Sequence, residues 1–279
     1  MPDLLLERMT PMSFLMKRWY IVVSILAILF FGFLLVQNHI ARLAWQKYSN
    51  AGTALALNRS DRELAMQIGN YYFGGQKYDL TIAERAYQKA VAIEPGILWG
   101  HYQLARINFM RREYEDALKE IALELEHNPE NLRSLYVRGL VYAFRELAGD
   151  LGRAEDDFRR FTDWAPKEWA GYNDLAWILS KAGKYREAKA TIESAFREVL
   201  NANENPWLWN GLGAAELNLG NYREAATAFT RAQELAQGLS AAVWHQAYPG
   251  NDPTDAESGI TAFRAAITTN LSRAVDNQK

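Results

Sequence analysis

Residues 206–235 read PWLWNGLGAAELNLGNYREAATAFTRAQEL, and this stretch decides the fold. Its first half is rich in apolar and small residues, and a Gly-Asn-Tyr turn follows at 220–222. In the second half, Ala225, Phe229 and Ala232 recur at steps of four and three residues, which places them on one face of a helix. The stretch therefore predicts two helices that are joined by a short turn and meet through small residues.

The same pattern occurs four more times upstream. Each unit has Gly or Ala in the middle of its first helix, Ala early in its second helix, and an aromatic residue or Ile four positions later. Proline ends three of the units, because it lacks an N–H and biases the preceding residue away from helix. The five units span 62–97, 98–131, 132–168, 169–205 and 206–239. Their regular length indicates internal repeats, and the extra residues fall in turns.

These units resemble the tetratricopeptide repeat, a pattern of about 34 residues with W-x2-L-G-x2-Y, A-x3-F and a late Pro. The resemblance implies an all-α protein: a right-handed solenoid of five helix pairs whose concave face holds a peptide or a partner helix. Glu216 replaces the tyrosine of the last unit and is expected to face solvent, and Glu124 stands where a small residue is expected. Five units in register favour this fold over an Ala-rich helical bundle.

The C-terminal residues 240–279 fit the repeat poorly. A short helix is predicted at 241–248, and the breaker PGNDP follows it. Thr254 and Glu257 then have the spacing of a capping box, ahead of a helix with one apolar stripe. We expect a degenerate sixth helix pair that caps the open end of the stack.

The N-terminal part has a different composition. Residues 19–36, WYIVVSILAILFFGFLLV, contain no charged side chain, and the next charge is Arg42. A helix of this length would be about 27 Å long, close to the hydrocarbon thickness of a bilayer. The stretch is longer than the apolar core of a signal peptide and more uniformly apolar than a core helix. It predicts an uncleaved single-pass transmembrane anchor, followed by a helical stalk at 37–61.

The charges beside this span favour one orientation. Three basic residues precede the span and two follow it closely: Arg8, Lys17 and Arg18, then Arg42 and Lys47. Basic residues are enriched on the cytoplasmic side of membrane helices. Segment 1–18 is therefore predicted to be cytoplasmic, with the repeat domain on the non-cytoplasmic side.

The overall composition limits the chemistry. The 31 basic and 33 acidic residues nearly cancel, which argues against a nucleic-acid partner. There is no cysteine, so thiolate catalysis, disulfides and Cys-ligated metals are excluded. The four histidines are widely separated, and no phosphate-binding loop or nucleophile elbow is present. We expect no enzyme activity, no cofactor and no metal.

The resemblance also indicates which residues face the groove. Of the positions that correspond to the family's groove, seven are the partner-binding candidates: Trp99, Tyr102, Arg106, Tyr136, Asn173, Trp177 and Asn210. The aromatic members could instead pack between repeats. The Lys, Asn and Arg set with which one family subtype grips a C-terminal carboxylate is absent. The groove therefore suits an extended apolar peptide or an amphipathic helix.

Two functional classes follow from this organisation. The first is a membrane-anchored scaffold that binds a protein or peptide partner and organises or assembles a membrane-associated complex. The second is a constitutive, non-catalytic subunit of a larger membrane complex, such as a translocon, a polysaccharide-synthesis machine, or a respiratory or photosynthetic assembly. In that class the transmembrane helix packs against other subunits. The sequence leaves both classes open.

Overall fold

The computed structural model describes residues 11–74, 77–248 and 251–278. Within these ranges the chain is helical and contains no β-strand. The helices are α1 Pro11–Tyr48, α2 Ala51–Leu57, α3 Arg62–Gly74, α4 Leu80–Ile93, α5 Gly100–Met110, α6 Tyr114–His127, α7 Arg133–Arg145, α8 Asp150–Trp164, α9 Trp169–Lys181, α10 Tyr185–Glu198, α11 Pro206–Asn218, α12 Tyr222–Ala236, α13 Ala241–Ala247 and α14 Ala256–Asp276. Short 3₁₀ turns occur at Ala202–Glu204 and Pro253–Asp255.

Helices α3 to α12 form a stack of five helix pairs, in which each first helix packs on the second helix that follows it. Successive pairs also pack together, because each second helix contacts the first helix of the next pair. The first helices touch one another as well, α5 on α7 and α9 on α11. They therefore line the inner, concave side, and the second helices form the outer side. The predicted all-α solenoid is confirmed.

Small residues in the first helices determine how closely each pair packs. Three pairs place Gly against an aromatic ring: Gly69 against Tyr87, Gly139 against Phe158, and Gly213 against Phe229. A Cβ added at Gly213 would lie 2.7 Å from ring carbons of Phe229, too close for an undistorted contact. The two pairs with the smaller Ile in place of the ring carry Ala instead: Ala105 with Ile121, and Ala176 with Ile192. The two positions thus vary together in size.

Glu216 does not face solvent, contrary to the expectation from the sequence. Its side chain is almost completely buried, with the Lys189 Nζ 2.7 Å from Oε1. The Asn221 side-chain amide donates to Oε2 at 2.6 Å. Lys189 compensates the charge of the buried carboxylate, which would otherwise be costly to remove from water, and Asn221 adds a hydrogen bond. The acid replaces the tyrosine of the pattern by forming an ion pair between the fourth and fifth units.

Glu124, the other departure from the repeat pattern, caps a helix. Its fully buried carboxylate accepts the backbone N–H groups of Trp99 and Tyr102 at 3.0 and 3.1 Å, at the start of α5. A negative charge is favoured at a helix N-terminus, where backbone N–H groups lack partners. Trp99 has a φ of 73°, which is uncommon for a bulky residue. The bond to Glu124 holds its N–H in that conformation.

Helix α1 is about 57 Å long and has two different parts. Trp19–Tyr48 includes a window of mean hydropathy 2.7 with none of it buried, so by length and composition the helix is able to cross a membrane. Its last turns instead pack on the repeats. Ala41 and Ala44 are buried in the core of the first helix pair, and the Trp45 ring lies 5.2 Å from that of Tyr71.

The segment predicted as a stalk is therefore not a free continuous helix. The helix breaks at Ser49, whose φ is 49°, and α2 folds back on the end of α1. The Asn50 side chain caps α2 by accepting the N–H of Thr53 at 2.9 Å. The predicted break at 58–60 is present, and an Asn58–Asp61 turn stabilises it. Together α2 and the end of α1 cover the open edge of the first repeat.

The C-terminal helices have separate positions. Helix α14 packs along α12 and covers the other end of the stack. Helix α13 does not stack as the first helix of a sixth pair; it lies on the concave side. It has seven residues, and none of them is buried. Trp244 links the two helices by packing on Gly259 of α14, where a Cβ would lie 2.5 Å from its ring.

Candidate partner-binding groove

The concave groove is formed by side chains that project from the first helices at intervals of three or four residues. Helix α9 contributes Trp169, Asn173 and Trp177 at steps of four, and Asp174 beside them. Helix α7 contributes Tyr136 from the neighbouring pair, and α11 contributes Trp207 from the next one. The middle of the groove thus combines polar groups with tryptophan rings.

A buried hydrogen-bond cluster lies at this point. The Tyr136 hydroxyl donates to Asp174 Oδ2 at 2.7 Å, and Asn173 Nδ2 donates to Asp174 Oδ1 at 3.0 Å. Tyr248, from the end of α13, completes the cluster. Its hydroxyl accepts a hydrogen bond from Asn173 Nδ2 at 2.8 Å and donates to Asp174 Oδ1 at 3.3 Å. Each of the four polar side chains therefore has at least one hydrogen-bond partner within one network.

Burial dominates the titration of this cluster. Removal from water raises the pKa of Asp174 from 3.8 to about 6, although the hydrogen bonds from Tyr136, Asn173 and Tyr248 oppose this shift. Burial, together with the nearby Asp174 charge, raises the pKa of both Tyr136 and Tyr248 well above 10. Both tyrosines therefore keep their protons at neutral pH and act as donors, while Asp174 is the acceptor.

Aromatic rings surround the Tyr248 side chain. The Tyr248 ring centroid lies 5.5 Å from Trp169 and 6.4 Å from Trp207, in edge-to-face arrangements. Trp169 and Trp207 stack on each other at 5.0 Å. Trp207 also stacks on Phe263 of α14, 5.6 Å away. Such ring pairs favour a flat aromatic occupant at this site.

The segment that carries Tyr248 crosses the groove towards the first repeat. The His245 ring lies 6.1 Å from that of Tyr78, in the turn between α3 and α4. Burial raises the pKa of Tyr78 to about 12, and the charge of Asp252 adds to this effect. Residues 241–248, hereafter the strap, thus lie over the concave face from the fifth pair to the first.

The strap leaves two cavities in the groove. One, of about 440 Å³, lies between the strap and residues that include Tyr102, Arg106 and Arg133. The other, of about 660 Å³, lies on the far side of Tyr248 and includes Phe144 and Trp177 in its lining. The Phe144 ring packs against Trp177 in a tilted arrangement, with the ring centroids 5.5 Å apart, and is half exposed at the rim. The strap therefore fills the groove only in part.

Five of the seven predicted groove residues line one of the two cavities, and two line neither. Tyr102, Arg106 and Tyr136 line the smaller cavity, and Asn173 and Trp177 line the larger one. Trp99 packs on the Tyr102 ring at 5.2 Å and lines neither cavity. Asn210 lines neither cavity, and its buried Oδ1 has no hydrogen-bond partner among the described residues.

Arg106 is the cation of the smaller cavity. Its guanidinium lies 4.4 Å from the centroid of the Phe73 ring and donates to the Gln103 side chain at 2.9 Å. Burial lowers the pKa of Arg106, and its buried Nε has no hydrogen-bond partner in the described part of the chain. The nearby Arg133 is paired with Glu168 at 2.7 Å. The cavity thus offers a donor that an acceptor on a ligand could engage.

Sequence reasoning did not find four residues that define the groove, namely Asp174, Trp169, Trp207 and Tyr248. Asp174 carried a signal, because it is the one acid in the largely apolar helix WAGYNDLAWILSK. Tyr248 carried none. It contacts Asp174 across 74 positions, and its segment has the periodicity of an ordinary short helix.

Comparisons with known proteins agree with this architecture. A family model described as "Tetratricopeptide repeat" matches residues 170–198 and 208–238. Tetratricopeptide repeat protein 19 homolog, mitochondrial, from Drosophila melanogaster is 26% identical in an alignment of 167 residues that covers 51% of this chain and 44% of that protein. The match thus spans less than half of that relative.

Solved structures show the same fold at low sequence identity. PilW, described as a widely conserved type IV pilus biogenesis factor, has a TM-score of 0.55 at 15% identity over 79% of this chain and 91% of its own. A thermophilic tetratricopeptide protein from Thermus thermophilus scores 0.52 at 16% identity, covering 72% and 98%. MamA scores 0.51 at 18% identity, covering 64% and 96%. Residues 170–198 and 208–238 therefore match the tetratricopeptide repeat, and the helical stack as a whole has the fold of tetratricopeptide-repeat proteins.

Proposed function

We propose that this chain is a membrane-anchored scaffold that binds a protein or peptide partner in its concave groove and so organises or assembles a membrane-associated complex. One observation carries the proposal: the first helices converge on a groove that accommodates a peptide segment, the strap. Aromatic rings supply contact area there, and the Asn173–Asp174 cluster supplies directional hydrogen bonds. The proposal assigns no catalysis to the chain.

The same proposal includes the membrane. Residues 19–36 are the proposed span, with segment 1–18 in the cytoplasm and the repeats on the other side. Only about 7 Å of helix separates Val36 from Ala41, which is already buried against the first repeat. The groove would therefore have a fixed position close to the membrane surface, because no flexible linker intervenes. Such a position suits the recruitment of membrane partners.

Photo-crosslinking in native membranes tests the groove. A benzophenone amino acid at Phe144 places the reactive group at the rim of the larger cavity. The matched control carries it at Ala190, which is exposed on the outer helix α10. We expect a discrete adduct from position 144 and none of the same mass from position 190. Equal adducts from both positions, or none from 144, would refute groove binding.

The second candidate, a constitutive subunit of a membrane complex, is favoured by one feature. Helix α1 continues without a break from the proposed span into the repeat core. An apolar face packed against other subunits would then be coupled rigidly to the groove. Replacement of 19–36 by an unrelated membrane helix of equal length separates the two candidates. A scaffold keeps its partner after the exchange, whereas a constitutive subunit no longer co-purifies with its complex.

A further inference from the structure

We propose that Tyr136, Asn173 and Asp174, with Trp169 and Trp207, form a pocket for a tyrosine side chain of the partner. In the structure the chain's own Tyr248 occupies this pocket, and the partner's tyrosine would displace it. This inference rests on the proposed groove function and specifies the chemistry of the ligand. The partner is thus a peptide segment that presents a tyrosine to the middle of the groove.

The hydrogen bonds select a phenolic hydroxyl. Asn173 Nδ2 needs an acceptor and Asp174 Oδ1 takes a donor, and the Tyr248 oxygen provides both at 2.8 and 3.3 Å. Phenylalanine would fill the space between the aromatic walls but would make neither of these two hydrogen bonds. Tryptophan offers a donor and no acceptor. Among the natural aromatic side chains, tyrosine is the one that combines the ring with a hydroxyl.

The strap is held by few contacts. No residue of α13 is buried, and an isolated helix of seven residues is unstable in water. Its attachment relies on the Tyr248 hydroxyl, the rings beside it, and Trp244 packed at Gly259. The repeats do not depend on these contacts, because their core lies between the helix pairs. The strap is therefore able to leave while the solenoid stays folded.

The strap is also an imperfect ligand. Its small or polar residues Gln246 and Ala247 lie over the 440 Å³ cavity, where the Arg106 Nε–H has no hydrogen-bond partner among the residues that the structure describes. The 660 Å³ cavity on the other side of Tyr248 is open as well. A partner segment with larger side chains beside its tyrosine would fill both spaces and gain contact area that the strap lacks. This difference lets a partner overcome the advantage of a tethered competitor, whose effective concentration is on the order of millimolar.

Peptide binding to the full chain in detergent micelles tests this pocket. The probe is a fluorescein-labelled peptide of residues 239–252, LSAAVWHQAYPGND, measured by fluorescence anisotropy. Tyr248→Ala is expected to bind the probe at least about tenfold more tightly than the unmodified chain, because the tethered competitor is weakened. A probe with Phe in place of its Tyr should bind about tenfold more weakly, owing to the lost hydrogen bonds.

Several results would overturn the pocket. These are equal binding of the Tyr and Phe probes, and probe binding that does not depend on Tyr248. If the unmodified chain is a dimer and the Tyr248→Ala variant is a monomer, the pocket would instead bind Tyr248 of a second copy. Far-UV circular dichroism checks that Tyr248→Ala remains folded. Tyr248→Phe keeps the ring and is a milder variant. Its affinity for the probe should lie between that of the unmodified chain and that of Tyr248→Ala.

The peptide-binding experiment and the crosslinking experiment test the pocket and the scaffold role separately. Tyrosine-dependent probe binding without any crosslinked partner at position 144 would refute the scaffold role and leave the pocket intact. A crosslinked partner together with equal Tyr and Phe probe affinities would refute the pocket and leave the scaffold role intact.

Discussion

The pairing of Gly213 with the Phe229 ring makes a quantitative prediction about repeat packing. In Gly213→Ala, the new Cβ would lie 2.7 Å from the ring, about 0.8 Å inside an ordinary carbon–carbon contact. Such overpacking costs about 1–3 kcal/mol, and the better helix propensity of Ala returns about 1 kcal/mol. We expect a net loss of about 1 kcal/mol in the free energy of unfolding.

Phe229→Ile alone removes ring atoms that fill the space against Gly213 and should cost about 1–2 kcal/mol. The double variant gives the fifth unit the Ala–Ile combination that the second and fourth units contain. It should lie within about 0.5 kcal/mol of the unmodified chain, which gives a coupling energy of about 2 kcal/mol.

Urea unfolding of the full chain in detergent, followed by far-UV circular dichroism, measures the free energies of unfolding of the two single variants and the double variant. Hydrogen exchange of peptides from α11 and α12 localises the effect, because repeat arrays need not unfold in one step. Gly152→Ala is the matched control. No atom lies within 4 Å of the Cβ that it adds, so it should be neutral or stabilising by up to about 1 kcal/mol. Additive single effects, with no coupling, would refute the size-matching argument.

Two further predictions concern buried carboxylates. Lys189→Met leaves the Glu216 carboxylate without its ion pair and should lower the free energy of unfolding by about 1–3 kcal/mol, measured by the same urea assay; a change below about 0.3 kcal/mol would contradict the pairing. In the folded state the pKa of Asp174 is raised from 3.8 to about 6, so the folded state binds this proton more tightly than the unfolded state does. The protonated Asp174 therefore contributes fully to stability below about pH 4, and this contribution is lost as the pH rises through about 6. Melting temperatures from pH 4 to 7 should fall more for the unmodified chain than for Asp174→Asn, and parallel profiles would contradict this assignment.

Local size patterns made the repeats predictable from the sequence. Gly, Ala, ring and Pro positions recur within each unit, so neighbouring helices and their core contacts follow from short-range spacing. The same locality explains why five of the seven groove candidates line a cavity. Their position depends on the helix face, which the repeat pattern specifies.

The remaining features depend on contacts between distant residues. Tyr248 reaches Asp174 across 74 positions, and the ion pair of Lys189 with Glu216 joins two different units. The stalk helix breaks at Ser49 because this residue has a positive φ. No Gly or Pro occupies the position, so the sequence does not predict the break. Periodicity describes which face of a helix is apolar, and it does not specify what covers that face.

The central claim is that a tyrosine-bearing ligand and the strap exchange in the groove. The chain has no cysteine, so Val243→Cys on α13 and Ala190→Cys on α10 give one pair of spin labels. Electron–electron double resonance on the full chain in nanodiscs then reports the distance between strap and solenoid. Saturation with the tyrosine peptide should replace a narrow distance distribution by a broad, longer one, while the Phe peptide at the same concentration displaces less of the strap. An unchanged distribution with the tyrosine peptide bound would contradict the account.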